Sequence, residues 1–316
     1  MTHPAVENVI KNCLKLKKGE SLLILADTKS SDIGMFFFQN AMQLSADIGF
    51  KLDYLEMQPT TNDGAEPAEE IAQQMSMFHV LIMVTTYSLS HTDATKAALK
   101  RGARVASMPG VTMDMIKRTL SMDYNEIEKL SQKIAKDYEG KDKIHIRTEK
   151  GTDFTFSIKD RPLFLDTGIF DSQGTLGNLP AGEVAFAPIE DSANGVLIVD
   201  GSMDPIGKLK DDLKLKFTDG KVVSVEGPDA DKLNKFLNNE KNRNIAEFGI
   251  GTNPKAKITG NVLEDEKVMG TIHIAIGSNT NFGGKNKANV HFDGIVMKPT
   301  VLADGLCTMK DGEFNF

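Results

Sequence analysis

The chain has 316 residues, 40% of them hydrophobic and 26% charged, with 37 basic against 44 acidic side chains. That length accommodates two domains, or one large one, with a substantial core. A net charge of −7 without a concentrated basic stripe argues against nucleic acid and anionic lipid as partners, and no stretch approaches the roughly 20 apolar residues that a membrane-spanning helix requires.

The first twenty residues carry apolar side chains at helical spacing without an unbroken apolar core, which predicts no secretory leader. Cys13 and Cys307 are the only cysteines, a usage typical of a reducing compartment, so a cytoplasmic protein is expected. In chain order, residues 21–26 read as a buried strand and 31–48 as a helix. Strands at 51–57, 80–85 and 104–108 follow, with helices at 67–75 and 92–100 between them. This alternation predicts crossover units and a parallel, doubly wound sheet. A longer helix is expected over 124–138.

Near Lys141 the pattern changes. Residues 143–148, 154–158 and 213–217 alternate strictly between apolar and polar, with glycine-containing turns between them and one helix expected over 229–239. The predicted fold class is α/β: a three-layer parallel-sheet domain over 1–141 and a β-rich, metal-binding domain over 142–316.

Four segments of the second half share one pattern. In an extended chain, successive side chains point to opposite faces. Glu183 therefore shares a face with Ala185 and Ala187, opposite Val184 and Phe186. Glu247 shares one with Gly249 and Gly251, opposite Phe248 and Ile250. His273 lies between Thr271 and Ala275, opposite isoleucines, and His291 and Asp293 point together, opposite Val290 and Phe292. Each segment buries its apolar face and turns an ionisable group toward a face kept clear by small residues. A buried carboxylate costs several kcal/mol unless it is paired or coordinates a metal. Two imidazoles and three carboxylates suit Zn, Mn, Co or Fe better than Ca or Mg.

Other positions carry weaker signals. The run Glu264-Asp265-Glu266 reads as a charged turn. In Ser88-Leu89-Ser90-His91-Thr92-Asp93, which opens a helix after the third strand, Ser90 and Asp93 are expected to cap the helix. His91 is a candidate substrate contact there, because ligands of open parallel sheets favour the carboxyl ends of strands. The loop Phe282-Gly283-Gly284-Lys285-Asn286 lacks the context of a phosphate loop. It is expected to wall the site, with Lys285 available to a substrate carboxylate. His3, His79 and His145 read as structural or surface residues.

The motifs around Glu183, Glu247, His273 and His291-Phe292-Asp293 resemble, in order, those of the aminopeptidase T and aminopeptidase S type of metallopeptidase. The resemblance implies two divalent cations held by Glu183, Glu247, His273, His291 and Asp293, with Glu183 or Glu247 as general base and a homodimer as the assembly. The catalytic tyrosine that this family carries shortly after its first ligand histidine has no counterpart, since no tyrosine follows Tyr138. The chain also resembles the 2,5-dihydroxypyridine 5,6-dioxygenases, which implies a single Fe(II) held by His273, His291 and Asp293. The sequence thus predicts a metal-dependent hydrolase of a small peptide or amide. The alternatives are a ring-cleaving iron dioxygenase and a non-catalytic protein with a relic site.

Overall fold

The computed structural model describes residues 2–316. The chain forms two compact units, Met1–Glu128 with Asp166–Ala181, and Lys129–Leu165 with Gly182–Phe316. The division falls inside the helix Tyr124–Tyr138, not at residue 141 as the change of pattern suggests. The reason is packing: Ile134, Ala135 and Tyr138 of that helix belong to the core of the second unit. The strand Leu176–Asn178 returns to the first unit, where it adds an edge to the parallel sheet.

That sheet has five parallel strands in the order Lys51–Met57, Ser21–Asp27, Val80–Val84, Arg104–Ser107 and Leu176–Asn178. The helix Ser31–Ile48 lies against one face. It approaches closely because Gly34 has no Cβ; one added there would stand 2.5 Å from the Ala26 Cβ. On the other face Met75, Ala94 and Ala98, from the helices Glu69–Met75 and Asp93–Lys100, pack with Leu23, Leu25, Leu81 and Met83. The result is the expected three-layer arrangement.

Local details depart from expectation in three places. Thr92, not Ser90, caps the helix Asp93–Lys100, its hydroxyl accepting from the Thr95 amide. Ser90 instead donates to Ser107 at 2.9 Å, and Glu66 takes the amides of Asp93 and Ala94 that Asp93 was expected to help satisfy. The helix expected over 229–239 is confined to Ala230–Asn234, followed by a 3-10 turn at Glu240–Arg243. A helix at Met113–Thr119, capped by Thr112, has no counterpart in the expected elements.

The second unit is built from two antiparallel sheets. One runs Lys221–Glu226, Leu213–Thr218, Asn194–Val199, Asp153–Ser157, Lys143–Arg147, Thr300–Ala303, Leu306–Lys310 and Glu313–Phe314. The other runs Gly207–Lys208, Ser202–Met203, His291–Val296, Ile272–Gly277, Ile245–Gly251, Glu183–Phe186 and Leu163–Asp166. Val184, Phe186, Phe248, Ile250, Ile272, Ile274 and Ile276 point from the second sheet into a shared core with Ile144, Ile146, Phe154, Phe156, Leu197, Leu215 and Phe217. Phe248 is the hub, with ring centroids 5.2 Å from Phe156, 6.0 Å from Tyr138 and 6.4 Å from Phe186. The alternate residues of these strands are left to face away from the core. No helix among the described residues is long and apolar enough to cross a membrane.

Phe248→Ala is expected to destabilise the second unit by about 3–5 kcal/mol, the usual range for emptying a buried aromatic site. Chemical denaturation followed by tryptophan-free probes such as far-UV circular dichroism measures it, and a loss below about 1 kcal/mol would show that the core collapses around the gap.

Candidate metal centre

Strand register gathers the ionisable groups on the face opposite the core. His273 pairs with Gly249, Glu183 with Gly251, and His291 with Gly277. Glu247 pairs with Ala275, which in turn pairs with Asp293. Directly paired residues of antiparallel strands project from the same face, so each of these side chains has a glycine or alanine beside it. A register shift between Ile245 and Glu247 sets Ala246 as the extra residue and leaves Glu247 in phase with the site. Gly249 is the tightest point. A Cβ there would stand 2.0 Å from His273 Nε2, so the imidazole lies across the strand where any larger residue would put its side chain.

The five side chains singled out from the alternation pattern do come together. His273 Nε2 stands 3.5 Å from oxygens of both Glu183 and Glu247, and His291 Nε2 stands 3.0 Å from Glu247 and 3.6 Å from Asp293. Two participants were not anticipated. Glu266 offers an oxygen within 4.8 Å of ligand atoms of His273 and Asp293, and Lys267, with 1% of its side chain exposed, stands 2.7 Å from both Glu183 and Glu266. The charged turn 264–266 thus divides its labour. Asp265 accepts from the Thr259 and Gly260 amides and Glu264 from the Lys257 amide, while Glu266 turns to the sheet. That approach depends on Gly251, where a Cβ would stand 2.1 Å from the Val268 carbonyl.

His91 is exposed in the first unit, in the turn before the helix Asp93–Lys100. Lys285 is exposed in the glycine-rich loop, its amide bonded to Glu190. Within that loop Phe282 stacks on the His291 ring at 5.6 Å and 24°. His3, His79 and His145 pair with Ala5, Ser21 and Asp153 away from the cluster, as expected of structural residues.

The residues fit a divalent ion. Both ring nitrogens of His273 and Oδ1 of Asp293 are buried without a hydrogen-bond partner, a state that native structures avoid unless an ion or water is bound. His291 Nδ1–H donates to the Ser278 carbonyl at 2.8 Å. That bond fixes the tautomer and leaves Nε2, which faces the carboxylates, as the ligand atom. Three sets of donors converge within 4.8 Å: Glu183, Glu247 and His273; Glu247, His291 and Asp293; and Glu266, His273 and Asp293.

Without an ion, protons stand in for it. Burial opposes charge on His273, but Glu247, Glu183 and Asp293 outweigh it and hold its pKa up at about 9. Burial likewise opposes charge on His291, and Asp293 and Glu247 hold its pKa well above the usual value. Burial would raise Glu247, yet the two imidazoles keep it down at about 2. Burial raises Glu266 to about 8, with Lys267 opposing and Glu183 and Asp293 adding to the rise.

A parallel-sheet unit joined to a two-sheet unit that carries buried His and carboxylate donors defines a protein of mixed α/β architecture with a candidate metal site. The chain matches the NicX family model, described as 2,5-dihydroxypyridine 5,6-dioxygenase, over residues 2–315, and belongs to that family. The 2,5-dihydroxypyridine 5,6-dioxygenase of Pseudomonas putida KT2440 is 25% identical over 241 residues, 71% of this chain and 67% of that protein. Aminopeptidase PepS of Streptococcus thermophilus is 27% identical over 183 residues, 50% of this chain and 44% of that one. The solved structure of the dioxygenase from P. putida KT2440 is similar with a TM-score of 0.81 at 20% identity, covering 98% of this chain and 96% of that one. Wild-type AmpT from Thermus thermophilus gives a TM-score of 0.75 at 18% identity, covering 99% and 98%. At these identities the two structures share the fold. Family and homologues together make this chain an enzyme.

Two outcomes follow from the geometry. Gly249→Ala must displace the His273 ring, and an affinity loss of about tenfold or more for Co²⁺ is expected; unchanged binding in a spectrophotometric titration would show that His273 is not a ligand. The second concerns pH. His273 has a folded-state pKa of about 9 against a usual 6.5, so its contribution to the metal-free fold is complete below about 6.5 and disappears as pH rises through 9. Glu266 acts in the same sense between 4.5 and about 8. The chelator-treated protein should therefore melt at a lower temperature at pH 9.5 than at pH 6, while its metal affinity rises over that interval as protons leave the ligands.

Proposed function

We propose that this chain is a metal-dependent oxygenase that holds one divalent iron through His273, His291 and Asp293 and opens the ring of a hydroxypyridine-like substrate. The observation that carries this reading is Lys267. Its ammonium stands 2.7 Å from both Glu183 and Glu266, so those carboxylates already have a cation. Glu247, Asp293 and the two imidazoles remain, and of these His273, His291 and Asp293 would make a two-histidine, one-carboxylate set of the kind used by non-haem Fe(II) oxygenases, with Glu247 beside both imidazoles. The family match agrees with it.

Bound iron would supply activation of dioxygen next to the substrate hydroxyl. The protein's own groups then have distinct tasks. The Ser278 carbonyl holds the proton of His291 on Nδ1. Glu247, ionised at about pH 2 and above, stands between the two imidazoles and fixes their orientation. Lys267 pairs with Glu183 and Glu266, and Phe282 stacks on one face of the His291 ring.

A second reading rests on Glu247. It belongs to two of the three donor sets, so it would be among the residues that hold metal in a centre of two ions. On that reading the enzyme is a metallohydrolase of a small peptide or amide, with two Zn, Co or Mn ions and Glu183 or Glu247 as general base. Metal content measured by mass spectrometry on protein purified without added metal separates them. One iron per chain with oxygen uptake on hydroxylated pyridines is expected; two ions per chain with release of free amine from aminoacyl amides would replace the oxygenase by the hydrolase.

A further inference from the structure

We infer that Glu190 and Arg161 are positioning residues for the metal centre, acting on His291 through the loop between the two histidine strands. The inference rests on His291 as a metal ligand, a role common to both readings above.

The loop runs from Ser278 to Val290, and both of its ends meet His291: Ser278 accepts the His291 Nδ1 proton at 2.8 Å, and the Ser278 amide donates to the Val290 carbonyl at 2.7 Å. Its middle carries Phe282, which stacks on His291 and meets Phe164 edge-on at 5.3 Å. Apart from Phe282 and Val290 the loop is polar and glycine-rich, so hydrogen bonds carry much of its conformation.

Asn286 supplies some, to Asn279, Gly277 and Lys241, and Glu190 ties the two sides of the loop to the rest of the unit. One carboxylate oxygen accepts from Asn279 Nδ2 at 3.0 Å and from the Lys285 amide at 2.6 Å, gathering both sides of the loop. The other oxygen pairs with Arg161 Nη2. Arg161, with 8% of its side chain exposed, also donates through Nη1 to the Gly283 carbonyl at 2.8 Å. The guanidinium therefore holds the carboxylate and the loop tip in one plane, a task for the fork of an arginine. Gly283 permits the fit: its φ is +78°, and a Cβ would stand 2.5 Å from Pro162. None of these groups belongs to the donor sets around His273 and Asp293. What the clamp fixes is the acceptor and the stacked ring that together orient one ligand.

The test is a Co²⁺ titration of the full chain, stripped of metal by chelator, followed by the visible absorption of the bound ion. Glu190→Gln keeps the shape of the side chain and removes the charge that Arg161 and the two donors share. It is expected to weaken Co²⁺ binding about 10-fold or more, the usual effect of losing an outer partner of a metal-ligating histidine. Phe282→Leu is expected to weaken it as well, and the double variant to bind no more weakly than Glu190→Gln alone, since both act by the same route. Additive losses would reveal general destabilisation and overturn the inference, as would wild-type affinity in Glu190→Gln. If that variant does not fold, Arg161→Lys serves the same comparison, because lysine keeps the charge but cannot reach both partners. His291→Ala separates this inference from the reading beneath it. Wild-type Co²⁺ affinity in His291→Ala would remove His291 from the centre, whereas loss there with no effect of Glu190→Gln would sink the clamp alone.

Discussion

Charge gathered on one buried sheet face is the constraint to which the rest of the second unit answers. Glu183, Glu247, Glu266 and Asp293 lie together with two imidazoles and one ammonium. With neutral imidazoles, four carboxylates against Lys267 leave three negative charges uncompensated in a site where water is largely excluded. Isolated buried charge of that kind costs several kcal/mol per ion even after relaxation. The protein answers with protons on His273 and Glu266, whose pKa values are held up at about 9 and about 8, and a bound cation would replace those protons.

Such a cluster needs room, and the sheet provides it by omission. Each ligand candidate is paired across the ladder with glycine or alanine, so the volume that a second row of side chains would occupy is left to the ionisable groups. Gly249 gives way to the His273 ring and Gly251 to the turn that delivers Glu266 and Lys267. The opposite face can bear this because Phe248, Ile250, Ile272, Ile274 and Ile276 anchor the same strands in the core between the two sheets. Core and site are the two faces of one set of strands, and a register slip of one residue would exchange them.

This also explains what could be read from the amino-acid sequence. Glu183, Glu247, His273, His291 and Asp293 were legible because the two-residue period of a strand separates large apolar neighbours from small ones, and that separation survives into the fold. Glu266 and Lys267 were not. They sit in a turn after a four-residue helix, where no periodicity assigns a direction, and they reach the site only because a glycine on another strand lets the turn approach. Glu190 and Arg161 were equally hidden, since their partners are backbone groups of a loop about 90 and 120 residues away. The parallel sheet was readable from its alternating elements. The unit boundary was not, because the helix Tyr124–Tyr138 begins in one unit and buries Ile134 and Tyr138 in the core of the other.

The same fold is found in a protein named as a dioxygenase and in AmpT, so the fold cannot choose the reaction, and the balance of cations on the site face is what bears on the proposed one. Two divalent ions would place four positive charges beside Lys267, which stands 2.7 Å from Glu183, one of the five donors that such a centre would use, and from Glu266. A single ion leaves Lys267 where it stands and uses the donors that have no other cation. The absence of any tyrosine beyond Tyr138 points the same way, since the hydrolytic reading would need another group to stabilise the tetrahedral oxyanion, and the side chain that stacks against His291 is the apolar ring of Phe282.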